Sequence, residues 1–158
     1  MASPWHLHPL RVRYQETDQM AVVYHINYLN WFEIGRTEWI RHAGYRYADI
    51  EQAGLLLPLI DLDTSFMLPA RYDEQLLIAT RVASFSPLRL TFDSQIRRVP
   101  GWEGMPQSTT SADELPGELL VKGSTRHVWV NREWRPTRLD RQLPDVYNKL
   151  KLLCEGGD

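Results

Sequence analysis

A single stretch with helical periodicity, followed almost entirely by extended-looking segments, restricts this chain to a helix laid against an antiparallel sheet. From about Asn27 to His42 the apolar residues Tyr28, Trp31, Phe32, Trp39 and Ile40, with Gly35 between them, recur mostly every three or four positions. Glu33, Arg36, Glu38 and Arg41 take other positions, which predicts one amphipathic helix of about four turns. Gly44 is placed to end it, and Tyr45 to Ala53 predicts a shorter helical piece before Gly54.

The remaining segments read as strands. Leu10 to Tyr14 alternates apolar and basic residues ahead of the helix, and LLLPLIDLDTSFM, QLLIATRVASF, LRLTFDSQIRRV and GELLVKGSTRHVWVN follow it. In the third of these, Leu88, Leu90, Phe92 and Ile96 share one face while Arg89, Thr91, Asp93, Gln95 and Arg97 share the other, so only one face needs burying. Residues 100–117 are rich in Gly, Pro, Ser and Thr and predict a long, mobile loop between two strands. Pro144 opens a terminal helix, about 140–154, that carries Val146, Leu150 and Leu153 toward the body, with Gly-Gly-Asp fraying after it. The expected fold class is therefore α+β: an antiparallel five-stranded sheet wrapped around one long helix, the hot-dog architecture in outline, plus a C-terminal helix. Free sheet edges beside an aromatic-rich helix predict a homodimer at minimum, with further pairing into a homotetramer left open.

Composition narrows the function classes. A chain of 158 residues with 43% hydrophobic content supports one core, so a single domain over 1–158, with its core at about 10–136, is expected. The formal charge of −2 gives no electrostatic reason to expect nucleic acid or an anionic membrane as partner. Cys154 is the one cysteine, which excludes an intramolecular disulfide and a Cys-ligated structural zinc site. No secretory signal and no apolar run of about 20 residues is present, so a cytoplasmic protein without a membrane span is the expectation. Six tryptophans and seven tyrosines suit a core, an oligomer interface or a pocket for a flat ligand.

The stretch RVRYQETDQMAVVYHINYLNWFEIGR sets two acids, two tyrosines and a histidine at the mouth of the aromatic helix. The run RYQETDQMAVVYHINYLNWFEIGRTEWIR resembles the N-terminal signature of the 4-hydroxybenzoyl-CoA thioesterase family. It is most similar to that family's bacterial acyl-CoA thioesterases of the Tol-Pal cluster type. The resemblance weakens but persists through PARYDEQLLIATRV to HVWVN, covering roughly Leu10 to Pro136. It implies hydrolysis of an acyl-CoA thioester to a free acid and CoA, with coenzyme A as part of the substrate and no other cofactor. Cleaving a thioester requires a nucleophile on the carbonyl carbon and fixed donors for the oxygen that gains charge. A helix N-terminus offers such donors, since its first N–H groups lack intrahelical partners and carry about half an elementary charge.

By this resemblance Asp18 is the catalytic carboxylate, acting as nucleophile or as general base on water, and the backbone N–H groups at the helix start, Tyr24 to Asn27, form the oxyanion site. His25 is implied at the helix entrance, its amide or ring contacting the thioester oxygen or orienting Asp18. Tyr14 is implied beside the carboxylate or the acyl group. Without the motif, Asp18 reads as a turn or helix cap, His25 as a backbone-bonded helix-start histidine, and Tyr14 as a core strand tyrosine. Glu16, two residues from Asp18, points the same way in an extended loop, which would set two like charges side by side, and no role is assigned to it. Asn27 is expected to cap the helix, and Glu33 to pair with Arg36 or Arg41.

Coenzyme A carries phosphates, for which Arg71 and Arg89 are the leading cations and Arg97, Arg98, Lys122 and Arg126 further candidates. Trp31, Leu57, Ile60 and Phe66 are expected walls of the acyl pocket. Three competing readings are a dehydratase of the same architecture, a non-catalytic acyl-thioester-binding module, and a metal hydrolase using Glu16, Asp18, His25 and His42. The last lacks any HExxH or paired-histidine spacing.

Overall fold

A computed structural model describes residues 2–101 and 106–156 of the chain. Six strands, β1 (Trp5–Arg11), β2 (Leu59–Phe66), β3 (Gln75–Phe85), β4 (Arg89–Arg98), β5 (Ser108–Thr110) and β6 (Glu118–Val128), form one antiparallel sheet in the order β2-β6-β4-β3-β1-β5. The helices are α1 (Ile26–His42), α2 (Tyr47–Gln52), α3 (Leu139–Gln142) and α4 (Pro144–Gly156). The α+β arrangement expected from the sequence is present, with six strands instead of five. Two differences lie at one edge. The first strand begins at Trp5, not Leu10, and the expected long loop contributes β5, whose three residues pair with Trp5–Leu7. Residues 102–105 of that loop, and 157–158 of the terminal segment expected to fray, lie outside the described residues.

The apolar stripe of α1 determines where the sheet closes. Tyr28, Trp31 and Phe32 enter one apolar cluster with Leu76, Ile78, Ile96 and Val121, while Trp39 and Ile40 enter another with Val82, Leu90, Phe92 and Trp129. Gly35 lies where helix and sheet cross most closely: a Cβ there would overlap the Thr80 hydroxyl. Leu76 to Thr80 is buried without a break, because α1 covers one face of β3 and Trp5, Leu7, Val99 and Leu115 pack against Leu77 and Ala79 on the other. In β1 the same alternation sends His6 and His8 to the helix side, where the His6 ring lies 5.3 Å from that of His42. Val146 and Leu150 of α4 seal the far end, together with Cys154, whose thiol is pushed up to about 11 by burial. Among the described residues no helix is long and apolar enough to cross a membrane.

Candidate active site

Between β1 and α1 the chain folds back on itself, and Glu16 holds the fold. Tyr14–Glu16 form one 3-10 turn, which rotates the Glu16 side chain inward. Its carboxylate, 6% exposed, accepts the Arg13 amide at 2.7 Å and the Trp31 indole N–H at 2.8 Å. Its backbone carbonyl accepts the Tyr24 amide and the Asn27 side-chain amide, both at 2.9 Å. One residue thereby ties the loop to the first turn of α1. The extended geometry expected for Glu16 and Asp18 is corrected accordingly: the 3-10 turn sends the two carboxylates to different places, Glu16 under Trp31 and Asp18 outward. Asn27 lies inside the helix and bonds the loop carbonyl, so its expected capping role is also corrected.

Asp18 heads a tight turn. Its amide donates to the Val22 carbonyl at 2.9 Å, and its carbonyl accepts the Ala21 amide at 3.0 Å. Ala21 sits at φ +63°, a left-handed conformation costly for a residue with a Cβ. The Asp18 Oδ1 accepts the Met20 amide at 2.9 Å, while the second carboxylate oxygen has no partner among the described residues. The carboxylate faces a cavity of about 260 Å³ that His25 and Tyr28 share, with apolar walls from Val23, Phe66 and Leu68. Ala70 ties two of the lining residues together: its carbonyl accepts the Val23 amide at 2.8 Å, and its amide donates to the Tyr28 hydroxyl oxygen at 2.9 Å. Burial raises the Tyr28 phenol above its ordinary value, and the Asp18 charge acts on it in the same direction.

His25 caps α1 with its ring exposed, 4.7 Å from the Tyr24 ring and edge-on to Phe66. The amides of His25 and Ile26 donate to no acceptor among the described residues, so two bare N–H groups stand at the positive end of a 17-residue helix. The other two amides of the expected stretch Tyr24 to Asn27 are different: that of Tyr24 donates to the Glu16 carbonyl and that of Asn27 to the Tyr24 carbonyl, both at 2.9 Å.

Other expected positions fall elsewhere. Trp31 is 1% exposed and belongs to the core beneath Glu16, a correction to its place as a pocket wall. Phe66 does line the cavity, whereas Leu57 borders a separate one and Ile60 is exposed. Tyr14 is on the 3-10 turn rather than on a strand, 77% exposed, and meets the Tyr72 ring edge-on at 5.7 Å; it does not line the cavity. Arg71 is exposed just beyond Ala70. Arg89 opens β4 seven residues before Ile96, the residue in register with Val121 and, through it, Phe66, so about 20 Å separates it from the cavity along the strand. Arg97 donates to the Pro116 and Gly117 carbonyls, Arg98 pairs with Glu74 and Glu118, and Arg126 pairs with Asp61 and Asp63. Of the two partners expected for Glu33, Arg41 pairs with Glu38 instead, and Arg36 feels the Glu33 charge without forming an ion pair with it. His42 sits at the opposite end of α1 from Asp18, about 25 Å along the helix, so the four residues of the metal reading do not converge.

The family profile described as the thioesterase-like superfamily matches residues 12–150. The chain belongs to that superfamily. Among other members, it is 32% identical over 146 residues to YneP of Bacillus subtilis (strain 168), covering 90% of this chain and 94% of that protein. It is 32% identical over 88 residues to the acyl-CoA thioester hydrolase YbgC of Escherichia coli O157:H7, covering 56% of this chain and 66% of that protein. The crystal structure of the DHNA-CoA thioesterase of Staphylococcus aureus superposes with a TM-score of 0.80 at 32% identity, over 98% of this chain and 95% of that one. Superfamily membership accounts for the sheet wrapped around α1. Two residues of the site, Glu16 and Tyr28, were not assigned these roles by sequence reasoning. Only the spacing Glu16–Trp31 and Tyr28–Ala70, legible once the turn and the helix are in place, would have found them.

Proposed function

We propose that this chain hydrolyses acyl-CoA thioesters in the cavity between Asp18 and the head of α1. It is an enzyme, a thioester hydrolase, as its thioesterase relatives indicate. The observation that carries the mechanistic reading is that one cavity is lined both by Asp18, a carboxylate with a free oxygen, and by His25, the first of the two residues with bare amides at the head of α1. A thioester whose carbonyl oxygen rests on the His25 and Ile26 amides presents its carbon to Asp18. Charge gathering on that oxygen in the transition state meets fixed N–H dipoles, an arrangement in which one donor is worth about 10²–10³ in rate. Asp18 attacks the carbon to form an anhydride that water then cleaves, or it takes the proton of the attacking water; both routes end in a free acid and CoA. Val23, Phe66 and Leu68 supply the apolar wall for the acyl group, and the His25 ring flanks the entrance.

The working unit of this reading is a homodimer. β2 is a terminal strand of the sheet, paired on one side only, and Leu59, Ile60, Phe66, Met67 and Leu68 along and just past it are exposed. A second copy covers both the open edge and this apolar strip, and it does so beside the cavity, because Phe66 belongs to each.

A free-thiol assay over short, long and aromatic acyl-CoAs tests the activity. Release of CoA from at least one of them, far above the uncatalysed rate, is expected. Binding without release across the whole panel would replace the enzyme by an acyl-thioester-binding module.

A further inference from the structure

One buried polar group in the cavity has no part in the chemistry so far. Tyr28 is held on all sides: its ring is edge-on to Trp31 at 5.3 Å and tilted against Phe66 at 5.7 Å, and its oxygen accepts the Ala70 amide. With that lone pair occupied by a backbone donor, the hydroxyl is left to give its proton, and no acceptor among the described residues takes it. Of the side chains lining the cavity, the Asp18 carboxylate and the His25 ring are the strong acceptors, the Met20 and Met67 sulfurs being weak ones. Asp18, for its part, has one oxygen satisfied by Met20 and the other open. Tyr28 and Asp18 are not directly hydrogen-bonded, and the cavity between them has ample room for a water, which takes up about 30 Å³. Arg98 and Glu74 are the other charges that act on Tyr28; they pair with each other at 3.1 Å.

We infer that Tyr28 is a further catalytic residue, whose hydroxyl donates to the hydrolytic water and seats it against the free oxygen of Asp18. The inference rests on the thioesterase reading. The water oxygen accepts the Tyr28 proton and points a hydrogen at Asp18, which leaves its second lone pair for the acyl carbon. In the general-base route the new C–O bond forms as the water proton passes to Asp18. The C–S bond then breaks, and the CoA thiolate leaves with that proton, so that one thioester and one water give one acid and one thiol. In the anhydride route the free Asp18 oxygen first bonds the acyl carbon and the C–S bond breaks, releasing CoA thiolate. The water held by Tyr28 then attacks that carbon, the anhydride C–O bond breaks to return the Asp18 carboxylate, and the proton the water loses goes to the thiolate, so the products are again one acid and one thiol.

The test is competition between water and hydroxylamine for the acyl group. In Tyr28→Phe the packing is kept and only the seat for water is removed. The expected result is a kcat about 100-fold lower, the effect of misplacing a reacting group, with KM within about threefold of wild type. The ratio of hydroxamate to free acid should rise about tenfold or more at fixed hydroxylamine, because the added nucleophile does not need that seat. A fall in the folded fraction alone leaves the ratio unchanged, so an unchanged ratio overturns the role. A high-resolution crystal structure of the wild type provides a second reading that needs no variant: an ordered water within hydrogen-bond distance of both Tyr28 Oη and Asp18 Oδ2 is expected, and its absence overturns the role. An active wild type with an unchanged ratio in Tyr28→Phe sinks this inference alone, whereas a wild type without turnover sinks it together with the hydrolase reading.

Discussion

At the scale of single residues, the site depends on a carboxylate that performs no chemistry. Glu16 accepts a backbone amide and an indole N–H with its side chain and two more donors with its carbonyl, so the position of the Asp18 turn follows from it. In Glu16→Gln the amide nitrogen confronts the Arg13 or Trp31 donor, and a buried donor loses its acceptor. A loss of about 2 kcal/mol of stability is expected, seen as a melting temperature lower by about 5 °C, together with reduced turnover as the Asp18 turn loosens. Unaltered melting in the variant would mean that the loop is held by something else. The difference between Glu16 and Asp18 also marks the limit of what residue spacing conveys. The order of acids, histidine and helix was legible, but by itself it reads as a turn and a helix cap; it was the resemblance of the whole run to the thioesterase signature that singled out Asp18 and His25. The direction of each side chain was not legible, because a three-residue 3-10 turn reverses what an extended loop would impose. Tyr28 was legible as a residue on the buried face of a helix, but its hydroxyl acquires a role only through Ala70, 42 positions away.

At the scale of elements, β4 was legible because its alternation is written in its own sequence, and β3 because it is a short, nearly continuous apolar run, as a strand covered on both faces must be. β1 was read short, because the alternation of Trp5 and Leu7 with His6 and His8 places histidines on the face toward the helix, where apolar residues are the usual occupants. β5 was missed for a different reason: Ser-Thr-Thr has no pattern of its own and becomes a strand only through its pairing with Trp5–Leu7. The inward histidines have a measurable consequence. Burial lowers His6 on β1 and His127 on β6 from 6.5 to about 4, so both remain neutral in the folded protein while they charge freely in the unfolded chain. Their contribution to stability is complete above about pH 6.5 and is lost progressively as the pH falls toward 4, because the unfolded state binds the extra protons in that window. Urea unfolding at pH 7 and pH 5 should therefore show a lower midpoint at pH 5, with less of a drop in His127→Gln. Equal midpoints in the wild type at the two pH values would contradict neutral burial.

At the scale of the whole molecule, the architecture places α1, the longest helix among the described residues, so that its N-terminus meets the Asp18 loop at the β2 side of the sheet. The open edge of that strand makes quaternary structure part of the account. Light scattering should return the mass of two chains or a multiple of it, and Ile60→Lys, which sets a charge on the exposed strip, should shift the protein toward one chain. A monodisperse single chain in the wild type would remove the dimer from the account without touching the chemistry. The chemistry itself is tested most directly by comparing Asp18→Asn with wild type for release of CoA thiol, since the two side chains are nearly isosteric and only one carries the charge. The expected outcome is thiol release slowed by about a thousandfold or more, with thermal unfolding unchanged. Turnover at the wild-type rate in that variant would contradict the assignment of Asp18.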